Sequence, residues 1–278
     1  MTDAGPRGKD DVAAPTDFPE GQAVLFDNAP TPLDVNFRLA DFPVRVTPWF
    51  WLTMALLGSF SLNDPALGAV GMVVWVAAGF VSILVHELGH AVSARWFRAP
   101  AIIVLTAFGG YAQYYDRAPP SGWRRLVVCL MGPIVGFLLL GLVVISEMST
   151  HWMDLHPVLN AFGLYVGIQC LVWGLFNLLP VWPMDGGQAL REIFYILGVR
   201  RPDPATHLVS IFVAGVLILV GITAYINPLH PVVQAMPYVP GPIMIFWFTL
   251  IGIQNWQMFQ SYNARQSWGD DDGDGWKR

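Results

Sequence analysis

From Ala66 to Val85 the chain runs for twenty residues without one ionisable side chain, then places three within five residues, His86-Glu87-Leu88-Gly89-His90. In lipid there is no water to satisfy backbone N–H and C=O groups, so an apolar run of this length crosses the hydrocarbon core as a helix. A charged group at membrane depth costs about 2.5–3.5 kcal/mol on insertion scales, and a segment that carries three ionisable groups needs a use for them. Two histidines four apart on a helix project from one face about a turn from each other, where both imidazoles can reach a single tetrahedral zinc ion. Glu87, beside the first of them, is placed to take the proton of a coordinated water whose pKa the zinc has lowered. A buried His-Glu-His cluster that only ties helices together is the bland alternative. Neutral Ser, Thr or Asn usually serve that purpose.

The rest of the chain supports a membrane setting. Of its 278 residues 54% are hydrophobic and only 13% charged, with a mean hydropathy of +0.49, whereas soluble domains are about a quarter charged. The net charge of -5 is modest and leaves no nucleic-acid footprint. Cys129 and Cys170 both fall in apolar spans without a CxxC pattern, so buried, reduced thiols are expected. The first thirty residues are acidic and rich in Pro and Gly, with no apolar core of a cleavable signal peptide.

Taken in order, residues 1–40 read as a polar, partly disordered arm, with an extended piece around Val35–Val46 leading to the membrane surface. Residues 41–262 read as a six-span domain, with spans at about 49–62, 66–97, 123–145, 158–179, 205–226 and 242–262, and residues 263–278 as an acidic tail. Between the second and third spans, Ile102-Ile103-Val104, then Phe108-Gly109-Gly110, then Tyr111 to Tyr115 predict a strand, a glycine turn and a second strand. The expected fold class is therefore an all-α polytopic membrane protein of about six transmembrane helices, with a short membrane-associated β-hairpin after the second. All fifteen Lys and Arg fall on one side of that topology. The positive-inside rule then puts both termini in the cytoplasm, and His86, His90 and Asp185 near the cytoplasmic ends of their segments.

A catalytic zinc wants a third protein ligand and an open position. Asp185, in the proline-broken stretch Pro180-Val181-Trp182-Pro183-Met184-Asp185-Gly186-Gly187, is the favoured candidate. It can instead be the N-cap of the amphipathic helix that follows. Glu192 reads as a solvated residue of that helix, and His151, His156, His207 and His230 as structural or solvated. Asn177, a polar amide near the end of an apolar span, suits either a substrate carbonyl or developing oxyanion, or an interhelical hydrogen bond.

His86-Glu87-Leu88-Gly89-His90 in a membrane span, Phe108-Gly109-Gly110 after it, Gly132-Pro133 in the next span, and Asn177-Leu178-Leu179-Pro180 running into Pro183-Met184-Asp185-Gly186-Gly187 together resemble the site-2 protease family of intramembrane zinc metalloproteases. The resemblance covers about residues 40–260 and is to a compact, stand-alone member. It implies one zinc per chain held by His86, His90 and Asp185, with Glu87 as catalytic base. It also implies a hairpin, through Phe108, Gly109 and Gly110, that helps hold an unwound substrate as an added strand. The substrate would be a membrane-spanning protein cut in or beside the bilayer of a bacterial cytoplasmic membrane. Trp182, Met184 and Gly136 depart from residues common in the family. Two other readings of the polar groups remain: a metal transporter, whose polar path would have to continue across the bilayer, and a catalytically silent binder of transmembrane segments.

Overall fold

The computed structural model describes residues 30–39, 41–107, 109–114, 122–227 and 241–271. Two short strands, β1 (Val35–Leu39) and β2 (Phe42–Val46), form a hairpin that turns at Asp41, where φ is +68°. Then come α1 (Pro48–Leu57), a 3-10 turn (Ser59–Asn63), the long helix α2 (Ala69–Trp96) and the strands β3 (Ala101–Thr106) and β4 (Gly109–Tyr114). Helices α3 (Trp123–Thr150), α4 (Pro157–Asn177), α5 (Asp185–Ile196), α6 (Pro202–Ile226) and α7 (Gly241–Asp271) follow among the described residues.

The expected hairpin is half of a larger element. β3 and β4 pair antiparallel as the sequence suggested, but β2 also lies parallel to β3, with Val44, Arg45 and Val46 opposite Ile103, Val104 and Leu105. The result is one four-stranded sheet in the order β1-β2-β3-β4, in place of an isolated hairpin. Phe42, Val44 and Val46 on β2 and Ile103 and Leu105 on β3 pack with Phe50 and Met54 of α1 and Ile83, Leu84 and Ala91 of α2. That core fixes the sheet against the half of α2 that carries the histidines.

Four helices among the described residues are long and apolar enough to cross a membrane, α2, α3, α4 and α6. The other two expected spans differ for separate reasons. α1 is ten residues long, about 15 Å at 1.5 Å per residue, or half of a hydrocarbon core. It stops at Gly58, where a side chain would strike the Trp75 ring, and the chain turns through the 3-10 segment instead. α7 has the length, but Gln254, Asn255 and Gln257 dilute its apolar run, and it continues as helix through Asp271.

The helices approach closely where the site lies. Gly89 of α2 faces the backbone of Met131 and Gly132 in α3 with no room for a side chain. α4 is tied to α2 by Gln169, whose Nε2 donates to the Trp75 carbonyl at 3.2 Å. Glu192, expected on the solvated face of α5, is instead fully buried. It accepts the Gly122 N–H at 2.6 Å and pairs with Arg191 at 3.0 Å and Arg125 at 3.5 Å. Arg191 in turn holds Asp203 at 2.6 Å. This network locks α5 to the starts of α3 and α6; the helical pattern alone did not show that an arginine of another helix would face Glu192.

Candidate metal centre

His86 and His90 sit on one face of α2 by their four-residue spacing, both buried. Asp185, 99 residues further on, enters from the first turn of α5. Asp185 Oδ2 lies 3.0 Å from His86 Nε2 and 3.3 Å from His90 Nε2, and the two Nε2 atoms are 3.2 Å apart. The N-cap of α5 is Met184 and no side chain caps it, so Asp185 turns towards the histidines and not to its own helix end.

Those three distances allow a test of fit. Around a tetrahedral zinc with bonds of about 2.0–2.1 Å, ligand atoms stand about 3.3–3.4 Å apart. Two imidazole nitrogens and one carboxylate oxygen at 3.0–3.3 Å spacing therefore form one nearly regular face of such a tetrahedron, and the donor set is one that zinc takes. The fourth corner is left for water or substrate. His90 is also oriented from behind: its Nδ1–H donates to the Val128 carbonyl at 2.7 Å, which leaves Nε2 as the free lone pair. Burial by itself would raise the Asp185 carboxyl, but the His90 and His86 rings outweigh it and hold the group well below the usual carboxylate range, in its ionised form.

Glu87 is buried at 3% exposure, and its Oε2 has no hydrogen-bond partner. A buried orphan carboxylate oxygen costs free energy, so its presence beside three convergent ligand atoms marks a group kept for something that is to bind there. Gly110, at the start of β4, presses on this carboxylate: a Cβ there would lie 2.5 Å from Glu87 Cγ and 2.7 Å from Cδ. Gly109 precedes it at φ +106°, a conformation that glycine adopts freely, and the Trp173 indole covers it. Gly132 in α3 leaves the space that the His90 ring fills.

The candidates named from the sequence thus divide. His86, Glu87, His90, Asp185 and Gly110 meet in one place, with Gly109 adjacent; Phe108 lies outside the described residues. Asn177 Nδ2 donates to the Trp173 carbonyl of its own helix at 3.1 Å, and no described contact links it to the histidines. His156 accepts the Val158 N–H as a helix cap, and His207 is buried against Asn255. Both fit the structural role expected of them. Cys129 and Cys170 are buried and free. The Val128 carbonyl escaped sequence reasoning, since a backbone acceptor leaves no residue-type signal.

A buried His-His-Asp face with Glu87 beside it, formed between a helix long and apolar enough to cross a membrane and the first turn of α5, is the site arrangement of an H-E-x-x-H metalloprotease-like protein. The model of peptidase family M50 matches residues 75–152, which hold both histidines, Glu87 and Gly132-Pro133. A zinc metalloprotease of Methanocaldococcus jannaschii is 31% identical over 160 residues, 56% of this chain and 44% of that protein. Stage IV sporulation protein FB of Bacillus subtilis is 29% identical over 174 residues, 60% of this chain and 52% of that protein. The matches span about half the length of these relatives. A solved structure, the site-2 protease from Methanocaldococcus jannaschii, shares the fold with a TM-score of 0.52 at 22% identity, over 81% of this chain and 95% of that one. Over residues 75–152 the chain is similar to peptidase family M50, and its fold is that of the solved site-2 protease.

Proposed function

We propose that the protein is an intramembrane zinc endopeptidase that hydrolyses a peptide bond in or near the transmembrane segment of another membrane protein. The observation that carries this reading is the His86, His90 and Asp185 face beside Glu87, whose Oε2 has no hydrogen-bond partner. A zinc ion held there supplies Lewis-acid polarisation of the scissile carbonyl and lowers the pKa of the attacking water. Glu87 takes the proton from that water at its free carboxylate oxygen and returns it to the leaving amide nitrogen. His90, fixed through Val128, and Asp185, fixed at the head of α5, orient the ligand face. The sheet edge at Gly109 and Gly110, with Phe108 and Asn177, receives the substrate backbone, which must leave its helix before a bond can be attacked. The distribution of Lys and Arg over the loops supports a reading in which both termini and the site face the cytoplasm of a bacterial cytoplasmic membrane, with α1 and α7 also embedded.

The test is metal content and cleavage measured together on the unaltered chain, His86→Ala, Asp185→Ala and Glu87→Gln. Expected are about one zinc per chain in the unaltered protein and Glu87→Gln, its loss in the other two, and turnover of a transmembrane reporter only by the unaltered chain. Substantial proteolysis by purified Glu87→Gln would remove Glu87 from its role, and metal flux in sealed vesicles would favour transport.

A further inference from the structure

The stretch that delivers Asp185, Leu178 to Met184, leaves regular helix, so its backbone groups need partners from elsewhere. At Trp182, three residues before Asp185, both come from the last two helices. The Trp182 N–H donates to Ser210 Oγ of α6 at 2.9 Å, and the Trp182 carbonyl accepts from Asn255 Nδ2 of α7 at 2.8 Å. Asn255 Nδ2 also donates to the Ile251 carbonyl at 2.9 Å. With both its donors engaged, the amide presents Oδ1 to His207 Nδ1–H at 2.7 Å. The His207 ring stands between Trp182 at 5.9 Å and Tyr262 at 5.7 Å. Asn255 and Ser210 are 0% exposed and His207 3%.

Three buried polar side chains in the apolar α6–α7 pair are expensive unless each is satisfied. Here they close on one backbone unit. Val181, just before it, is buried in the same helix pair with Phe248 and Ile251. α5 meets α6 as well, through Arg191 and Asp203. Asp185 is thus delivered from a segment whose position is set by α6 and α7, while its two histidine partners ride on α2.

The geometry points to Asn255 and Ser210, with His207 behind them, as positioning residues that hold Trp182 so that Asp185 completes the metal-binding face; the α6–α7 pair thereby sets metal affinity. This rests on the metal reading above. A segment released from Trp182 lets the Asp185 oxygen drift from a face whose edges are 3.0–3.3 Å, and groups one shell behind a ligand typically change metal affinity about 10–100-fold.

The experiment is zinc dissociation measured by chelator competition on the full chain in detergent, below the unfolding temperature of each variant, for the unaltered protein, Asn255→Ala, Ser210→Ala, Ser210→Thr and Gly221→Ala. Gly221 packs against Ile245 and the Gly241 carbonyl at the other end of the pair, so its variant disturbs α6–α7 without touching Trp182. Expected are an affinity loss of about tenfold or more in Asn255→Ala and Ser210→Ala, retention within about threefold in Ser210→Thr, which keeps the hydroxyl, and no change in Gly221→Ala. The visible spectrum of the cobalt(II)-loaded protein should lose its tetrahedral intensity in the first two only. If Asn255→Ala fails to fold, the two Ser210 variants decide. Unchanged affinity in Ser210→Ala, or equal losses in Gly221→Ala, would overturn the positioning role while leaving the metal site standing. Absence of zinc from the unaltered chain would overturn the metal reading and this inference with it.

Discussion

Gly110 lies flat against Glu87, so close that a single methyl group on its Cα would stand 2.8 Å from Glu87 Oε1. The first residues of β4 therefore act as a wall that sets where the carboxylate points, while the register of Gly110 opposite Leu105 pins the wall to β3. Gly110→Ala should push Glu87 aside without touching the ligand atoms. A displacement near 1 Å at a catalytic base can cost about a hundredfold in rate. Cleavage should fall by about tenfold or more while bound zinc stays at the level of the unaltered chain. Equal losses of metal and activity would show that the sheet supports the ligands and not the base.

Gly132 performs the matching service for His90. A side chain at this position of α3 would occupy the space of the imidazole around Nε2, the atom proposed to hold the metal. Gly132→Ala should then weaken zinc about tenfold or more, and overpacking of this kind costs about 1–3 kcal/mol of stability. Zinc titration and thermal unfolding of the same preparation separate the two effects.

The placement of His86 and His90 was legible because its information is local: four residues of helix put the two side chains on one face whatever else the chain does. Asp185 was legible by depth and by its glycine-flanked, non-helical setting, and the triangle of distances is what turns it from a helix cap towards the histidines. The β3–β4 hairpin could be read from alternation and a glycine turn. Its parallel partner β2 could not, because alternation says that a segment is a strand and not which strand lies beside it. Glu192 was misread for a related reason. An acidic residue on an amphipathic helix looks solvated until the Arg125 and Gly122 of another helix are brought to it. Asn255 left a weaker trace, a Gln-Asn pair in an apolar helix, whose partner at Trp182 is 73 residues away.

Glu192 supports a prediction of its own. Its side chain is 1% exposed, against 27% for Arg125 and 21% for Arg191. The arginines can recover water when the carboxylate is removed; the Gly122 N–H and the cavity cannot be repaired so readily. Glu192→Ala should therefore destabilise the fold by about 2 kcal/mol, below the 3–5 kcal/mol of a pair whose surviving charge stays fully buried. Glu192→Gln, which keeps an acceptor for Gly122, should cost about half as much. Chemical unfolding in detergent measures both, and indistinguishable variants would mean that the charge, not the acceptor, is what holds α5.

Removal of the metal should be visible as a loss of stability with a defined pH dependence. Zinc held at this face would bind the imidazoles of His86 and His90 through lone pairs that protons compete for, and the Asp185 carboxylate stays ionised well into acid because the rings beside it favour that form. The competition is therefore at the two histidines. Because protons and zinc take the same ring lone pairs, apparent affinity should fall as pH is lowered, by up to about a hundredfold per unit where two protons must leave. At zinc one hundred times its dissociation constant the ion contributes about 2.7 kcal/mol to the folded state. The unfolding temperature of the chelated chain should thus rise on adding zinc, by less as pH is lowered, and Asp185→Ala should show a much smaller rise at any pH. A zinc-induced shift of equal size in Asp185→Ala would place the bound ion away from this face.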